Sequence, residues 1–176
     1  NRLQRLPKDI FKNLTTLEEL YLSANKIKIL PTGIFHGPNL LKELDLGSNQ
    51  LEIIGARFFR NLTSVKYLVL ADNQLTEISD GIGTMTSLLI LDLSRNNIQR
   101  IPVTPLNRLR KLKVLALYQN LIDSITSETF ANLTELEFLL LNDNRLTKIP
   151  DEAFLNLKIL GLLMLSDNKI QDVGSK

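Results

Sequence analysis

The chain has 176 residues, among them 38 Leu, 16 Ile and 16 Asn, with no Cys, no Trp and a single His. That apolar content excludes disorder. The longest near-continuous apolar stretch, Ile159 to Leu165, is only 7 residues long, far below the roughly 18 to 20 that span a bilayer. The 21 basic and 19 acidic side chains give a net charge of +2 with both signs mixed along the chain, so no basic stripe points to nucleic acid.

Residues 1–16 read as a partial unit. They start at Asn1 rather than Met and show no charged region followed by an apolar one, so no targeting signal is legible and the start reads as a cut end. From residue 17 a segment recurs: LEELYLSANKI (17–27), LKELDLGSNQL (41–51), VKYLVLADNQL (65–75), LLILDLSRNNI (88–98), LKVLALYQNLI (112–122), LEFLLLNDNRL (136–146) and LGLLMLSDNKI (160–170). Units therefore begin near 17, 41, 65, 88, 112, 136 and 160, and the chain reads as one array over 1–176. Asn25, Asn49, Asn73, Asn96, Asn120, Asn144 and Asn168 hold one position in every copy, and Asn1 extends the series backwards. Their spacing is 24 residues with a single 23 between Asn73 and Asn96. A fixed period of this size marks a stacked array.

Within each unit the strand segment alternates. Leu20 and Leu22 point to one side while Glu19, Tyr21 and Ser23 point to the other, as in a half-buried strand. Successive strands then stack in parallel, joined by crossovers made of the remaining residues. The crossovers carry their own inward positions: Leu30, Ile34 and Phe35 in one unit, Ile149, Ala153 and Phe154 in another. Pro7, Pro31, Pro102 and Pro150 follow the apolar residue that closes the strand-and-turn half, which argues against a helix across that stretch. Asp72, Asp143 and Asp167, each just before a repeating Asn, read as turn stabilisers.

The Asn series is expected to be a buried ladder. Where a strand leaves the sheet its peptide groups are buried, and an amide side chain offers them both donors and acceptors. Replacing an inner member such as Asn96 by Leu should leave buried groups unpaired at roughly 1 to 3 kcal/mol.

The unit LEELYLSANKIKILPTGIFHGPNL resembles the typical unit of the leucine-rich repeat family, over essentially the whole chain. The resemblance implies an α/β-type solenoid that is right-handed, with a parallel sheet on its concave face and irregular or 3-10 crossovers on its convex face. The chain lacks the GxIP loop of plant receptor kinases and the helical crossover of ribonuclease inhibitors, and its units are longer than the short bacterial type. The implied subclass is an animal extracellular array. In that subclass a Phe per unit stacks into a spine, here matching Phe11, Phe35, Phe59, Phe130 and Phe154. Ile82 and Leu106 interrupt it, which predicts a local change of packing. A single unit cannot offset its own ordering entropy by burial, so such arrays need terminal caps. Extracellular relatives have Cys-rich ones; this sequence shows neither cap nor cysteine, so it reads as part of a longer protein.

Outward strand residues form rows across the inner face. The first row is Glu19, Glu43, Tyr67, Ile90, Val114, Phe138 and Leu162; the second is Tyr21, Asp45, Val69, Asp92, Ala116, Leu140 and Met164. A third runs through Ser23, Gly47, Ala71, Ser94, Tyr118, Asn142 and Ser166. The first two units are acidic, with Glu18 beside the rows. The later ones present an apolar band of Tyr67, Val69, Ile90, Val114, Phe138, Leu140, Leu162 and Met164. A contiguous apolar patch marks an interaction site, and aromatics with Met are enriched at interface cores. The expected partner is a protein ligand or co-receptor, with a further part of the same chain or a second copy, through self-association, as the alternative occupant of the band.

Three sequons, Asn13-Leu-Thr, Asn61-Leu-Thr and Asn132-Leu-Thr, share one slot of the unit and predict glycosylation along one side. Asn156 fills the same slot without a Thr, so a turn could also favour Asn there. Chemistry is sparse. His36, in the turn sequence HGPN, is the single imidazole; no metal site built on paired His and no phosphate loop is legible, and no cofactor is expected. The expected function is protein recognition by an extracellular or cell-surface protein, not catalysis. The three roles consistent with the resemblance are a Toll-like innate immune receptor ectodomain, an adhesion protein and a secreted matrix protein. An intracellular scaffold or adaptor without glycans is the alternative.

Overall fold

The computed structural model describes residues 1–173. Seven three-residue strands form one parallel sheet: β1 (Glu19–Tyr21), β2 (Glu43–Asp45), β3 (Tyr67–Val69), β4 (Ile90–Asp92), β5 (Val114–Ala116), β6 (Phe138–Leu140) and β8 (Leu162–Met164), side by side in chain order. Two short strands, β7 (Lys148–Ile149) and β9 (Asp172–Val173), pair separately beyond the turn. The architecture is the expected leucine-rich repeat type of solenoid.

Register follows the period. Leu20, Leu44, Leu68, Leu91, Leu115, Leu139 and Leu163 lie directly opposite one another from strand to strand. From Leu44 to Leu139 these leucines are fully buried. A one-residue slip would send every one of them to solvent, so burial pins the register.

The Asn ladder is built by four hydrogen bonds per inner residue. Asn96 Nδ2 donates to the carbonyls of Leu93 and Ser94 in its own turn and to Leu70 of the previous unit, at 3.0 to 3.1 Å. Its Oδ1 accepts the Leu75 N–H at 2.9 Å. Asn49, Asn73, Asn120 and Asn144 repeat this pattern. Each side chain therefore satisfies buried peptide groups of two units at once. Asn25 and Asn168 make the same kinds of bond but are only half-buried. Asn1 departs from the expectation. It is exposed, and its side chain is in none of the ladder hydrogen bonds.

The residue before each ladder Asn is left-handed: Ala24, Ser48, Asp72, Arg95, Gln119, Asp143 and Asp167 have φ between 51° and 54°. Asp tolerates this conformation, but Ala, Arg and Gln do so only when the surroundings impose it. The ladder hydrogen bonds are that constraint. The role of Asp72, Asp143 and Asp167 thus belongs to their position, and the carboxylate is optional.

On the opposite side the crossovers are turns, with 3-10 helices at Ala56–Asn61 and Asp80–Thr84 and one four-residue α-helix at Val103–Leu106. The helix starts directly after Pro102, its N-cap, and holds Pro105 in the first turn, where a missing N–H leaves no bond unmade. The proline at that boundary precedes a helix rather than forbidding one. The one-residue deletion falls here too: Ile78 and Ile82 are 4 apart where Ile54 and Phe59 are 5 apart. The tight 3-10 turn absorbs it because Gly81 lies on the preceding crossover, where a Cβ would sit 2.2 Å from the Ala56 carbonyl oxygen.

The aromatic spine differs in one ring. Phe11 stacks on Phe35 at 5.9 Å, but Phe35 meets Phe58 edge-on at 5.1 Å, and Phe59 packs against Phe58. Phe130 and Phe154 form a second stack at 6.2 Å. Ile82 and Leu106, both fully buried, separate the two stacks, so the local change of packing lies in the crossovers and leaves the sheet untouched.

Candidate interaction surface

The strand pairings put the outward residues into the rows read from the sequence. Glu19, Glu43, Tyr67, Ile90, Val114, Phe138 and Leu162 are consecutive register partners, and so are Tyr21, Asp45, Val69, Asp92, Ala116, Leu140 and Met164. Tyr67 and Phe138 are 37% and 40% exposed, with Val69, Ile90, Val114 and Leu140 half-buried between them. Ala116 is buried. Leu162 and Met164 are exposed as well, but β8 is an edge strand on which even the inward Leu163 is 36% exposed. The part of the band that owes its exposure to the face itself runs from Tyr67 to Leu140. Tyr118, half-buried, stands in a row of small neighbours that includes Ala71 and the buried Ser94.

The acidic end is more structured than a loose patch. Glu18 is paired with Lys42 of the next unit at 2.7 Å and is thereby withdrawn from the free acids. Asp45 Oδ1 accepts the Gly47 N–H at 2.8 Å, and Asp92 Oδ1 accepts both the N–H and the hydroxyl of Ser94. These are Asx-type turns that cap the strand ends. The signal in the sequence is an Asp followed two residues later by Gly or Ser. Glu19 and Glu43 remain, with Tyr21 among them; the Tyr21 hydroxyl donates to Glu19 Oε2 at 3.2 Å. The nearby Glu43 carboxylate foremost, then desolvation and the bond to Glu19, push the Tyr21 phenol up to about 12.

The face therefore has two chemistries along one axis. β1 and β2 offer carboxylates around a phenol; β3 to β6 offer aromatic and aliphatic side chains. Lys113, beside the apolar half, is bonded to Glu137 at 2.8 Å, and that carboxylate raises its pKa. Exposed pairs of this kind are screened by solvent, so they order the rim more than they stabilise the fold.

Sequon residues Asn13 and Asn132 are exposed, and Asn61 is half-buried at the end of its 3-10 helix. In the equivalent slot Asn156 Nδ2 donates to the Ala131 carbonyl of the previous unit at 3.0 Å. Asn there links units rather than closing its own turn. His36 is exposed and lies over Gly33. Among the described residues no helix is long and apolar enough to cross a membrane.

A family model described as Leucine rich repeat matches residues 1–51, 40–98, 86–146 and 139–176. No curated protein matches the chain. Among solved structures, an internalin (inlF) from Listeria monocytogenes is similar at 30% identity and TM-score 0.80, covering 95% of this chain and 45% of that one. An internalin C2 from the same organism is similar at 30% identity and TM-score 0.78, covering 91% of this chain and 66% of its own. The ectodomain of the plant membrane receptor kinase GASSHO1/SCHENGEN3 from Arabidopsis thaliana was solved in complex with CASPARIAN STRIP INTEGRITY FACTOR 2. It is similar at 33% identity and TM-score 0.77, covering 90% of this chain and 19% of that one. The chain thus spans less than half the length of two of these three.

Proposed function

The chain belongs to the leucine-rich repeat family, and from that premise we propose that it is the protein-recognition module of an extracellular or cell-surface protein, seating a protein ligand or co-receptor on the sheet face. The observation that carries this reading is the band from Tyr67 to Leu140. The repeat dictates only the inward leucines, so nothing in the fold requires Tyr67, Ile90, Val114 and Phe138 to be apolar on the outside. Exposed aromatic surface is maintained where a partner covers it. Glu19, Tyr21 and Glu43 at one end of the band, beside the turn-held Asp45, would select a partner with a cation at the matching end, and Tyr118, Leu162 and Met164 extend the contact at the other. The chain acts in this reading by binding, without catalysis or cofactor.

The extracellular setting is supported by the three aligned sequons at Asn13, Asn61 and Asn132 and by the likeness to a receptor ectodomain. Within that setting the unit consensus favours the animal subclass, as an innate immune receptor, an adhesion protein or a secreted matrix protein.

The test uses the chain secreted from animal cells, intact and as the Phe138→Asp, Leu140→Asp double variant, applied to protease-treated and untreated animal cells. The native chain should bind untreated cells saturably and lose binding after protease. The double variant should bind at least about 10-fold more weakly, the size expected when an interface core is charged. Equal binding and equal self-association of the two chains would sink the sheet-face reading. A glycosidase that removes mass from the secreted chain supports the extracellular setting; an unchanged mass favours the intracellular scaffold.

A further inference from the structure

An open groove of about 830 Å³ lies on the crossover side, away from the sheet face, between the crossover that carries the Val103–Leu106 helix and its neighbours. It sits where the phenylalanine spine is interrupted. Three cations line it: Arg108, Arg110 and Lys111. Three other units read Asn-Leu-Thr in this slot, at 13–15, 61–63 and 132–134, whereas this one reads Arg108-Leu109-Arg110-Lys111. The inward Leu109 and Leu112 are retained and fully buried. The slot varies in other units too, as Gly37-Pro38-Asn39, Thr84-Met85-Thr86 and Asn156-Leu157-Lys158, but only this unit places three cations there, and because only outward positions differ, packing does not explain them.

The groove is held in shape. Asn107 Nδ2 donates to the Glu128 carbonyl and its Oδ1 accepts the Asn132 N–H, both at 2.8 Å, so one side chain pins two crossovers together. The stem of Arg108 lies over Gly83, where a Cβ would come within 3.1 Å of its Cδ. Neighbouring Lys113 is committed to Glu137, but among the described residues Arg108, Arg110 and Lys111 are in no ion pair. Glu128 is the one acidic residue of the lining and leaves the cations in excess.

These observations select the ligand's chemistry. Clustered unpaired cations recognise sulfate or phosphate esters. Single-stranded nucleic acid also needs aromatic platforms for its bases, and no Phe or Tyr lines this groove, whereas Thr86 and Thr104 present exposed hydroxyls suited to sugar. We propose that this groove binds a sulfated polysaccharide, its sulfate esters against Arg108, Arg110 and Lys111 and its ring hydroxyls against Thr86 and Thr104. This site is separate from the sheet face and stands or falls independently of it.

The test is binding of a short heparin-derived oligosaccharide to the whole chain made in bacteria, which leaves Asn132 at the groove rim bare. Three proteins are compared: the native chain, Arg108→Ser with Arg110→Thr and Lys111→Ser, and a charge-matched control with Arg5, Lys26 and Lys28 changed to Ser beside a different cleft. The groove variant should bind about 10-fold or more weakly near 0.15 M salt with a shallower salt dependence, while the control changes less than about 2-fold. The desulfated oligosaccharide should not bind. Equal losses in both variants would reduce the effect to net charge and overturn the proposal. So would a single-stranded oligonucleotide that binds as tightly through the same three residues. Thermal melting of each protein confirms folding, and Lys111→Glu alone, at an exposed position, provides a second variant that must also weaken binding.

Discussion

The two sides of this solenoid obey different rules. On the sheet side every unit is alike. The same leucines face one another across seven strands, and the same Asn closes the same hydrogen bonds, even through the unit that is one residue short. On the crossover side neighbouring units differ, with plain turns, two 3-10 helices and one α-helical turn, and with Phe, Ile or Leu at one inward position. The difference is physical. A strand is held by directional bonds to both neighbours, so a change in one unit would propagate. A crossover is held mainly by non-directional apolar packing, which tolerates a change of shape if volume is kept.

The sharpest way to break the comparison is to damage each side at an equivalent depth. Asn96→Leu removes four hydrogen bonds: the Leu75 N–H is left unpaired, and the Leu70, Leu93 and Ser94 carbonyls each lose one of their two donors. With about 1 to 3 kcal/mol for the unsatisfied buried N–H and a smaller loss at each carbonyl, the variant should lose about 3 kcal/mol of unfolding free energy in urea. Asn168→Leu at the half-buried end should lose clearly less. If the two losses were equal, the ladder would be a set of independent turns and not a link between units.

A smaller loss is expected from Leu106→Phe, which restores the family residue at a crossover position that is fully buried. Overpacking a filled core costs about 1 to 3 kcal/mol, and the lower end applies because the crossover can shift. A stabilised variant in the same urea experiment would mean that the interruption of the spine is an unfilled gap rather than an alternative packing.

The comparison also explains what could be read from the sequence. The sheet register and the rows of outward residues were legible because a constant spacing leaves one way to align the strands. The ladder was legible for the same reason. The left-handed residues at Ala24, Ser48, Arg95 and Gln119 were not, because the ladder imposes that conformation on whatever residue stands there. Nor was the replacement of Phe59 by Phe58 against Phe35, since two adjacent rings both fit the apolar pattern and the 3-10 turn decides which one reaches the neighbour. On the candidate face, position was legible but commitment was not. Asp45 has the same register as the other outward residues, yet its carboxylate is occupied by the Gly47 N–H, and Glu18 is held by Lys42 from the adjacent unit.

The smallest expected effect probes the part of the sheet face that the repeat leaves free. The side chains of Glu19, Tyr21 and Glu43 come from two strands, and only the register brings them together. Their carboxylates disfavour a tyrosinate, and the Tyr21 phenol is pushed up to about 12. A raised phenol pKa means that the folded state binds this proton more tightly than the unfolded state. The contribution to stability is therefore fully present below the ordinary phenol value of 10.0 and is lost as the pH rises through about 12. An ultraviolet absorbance titration should resolve one tyrosine ionising near that upper value, and Glu43→Gln should move it downward. A titration in which no tyrosine ionises above the ordinary range would show that the carboxylates do not converge on the hydroxyl. The acidic end would then be a set of separate solvated charges, without the shared geometry that a cationic partner would read.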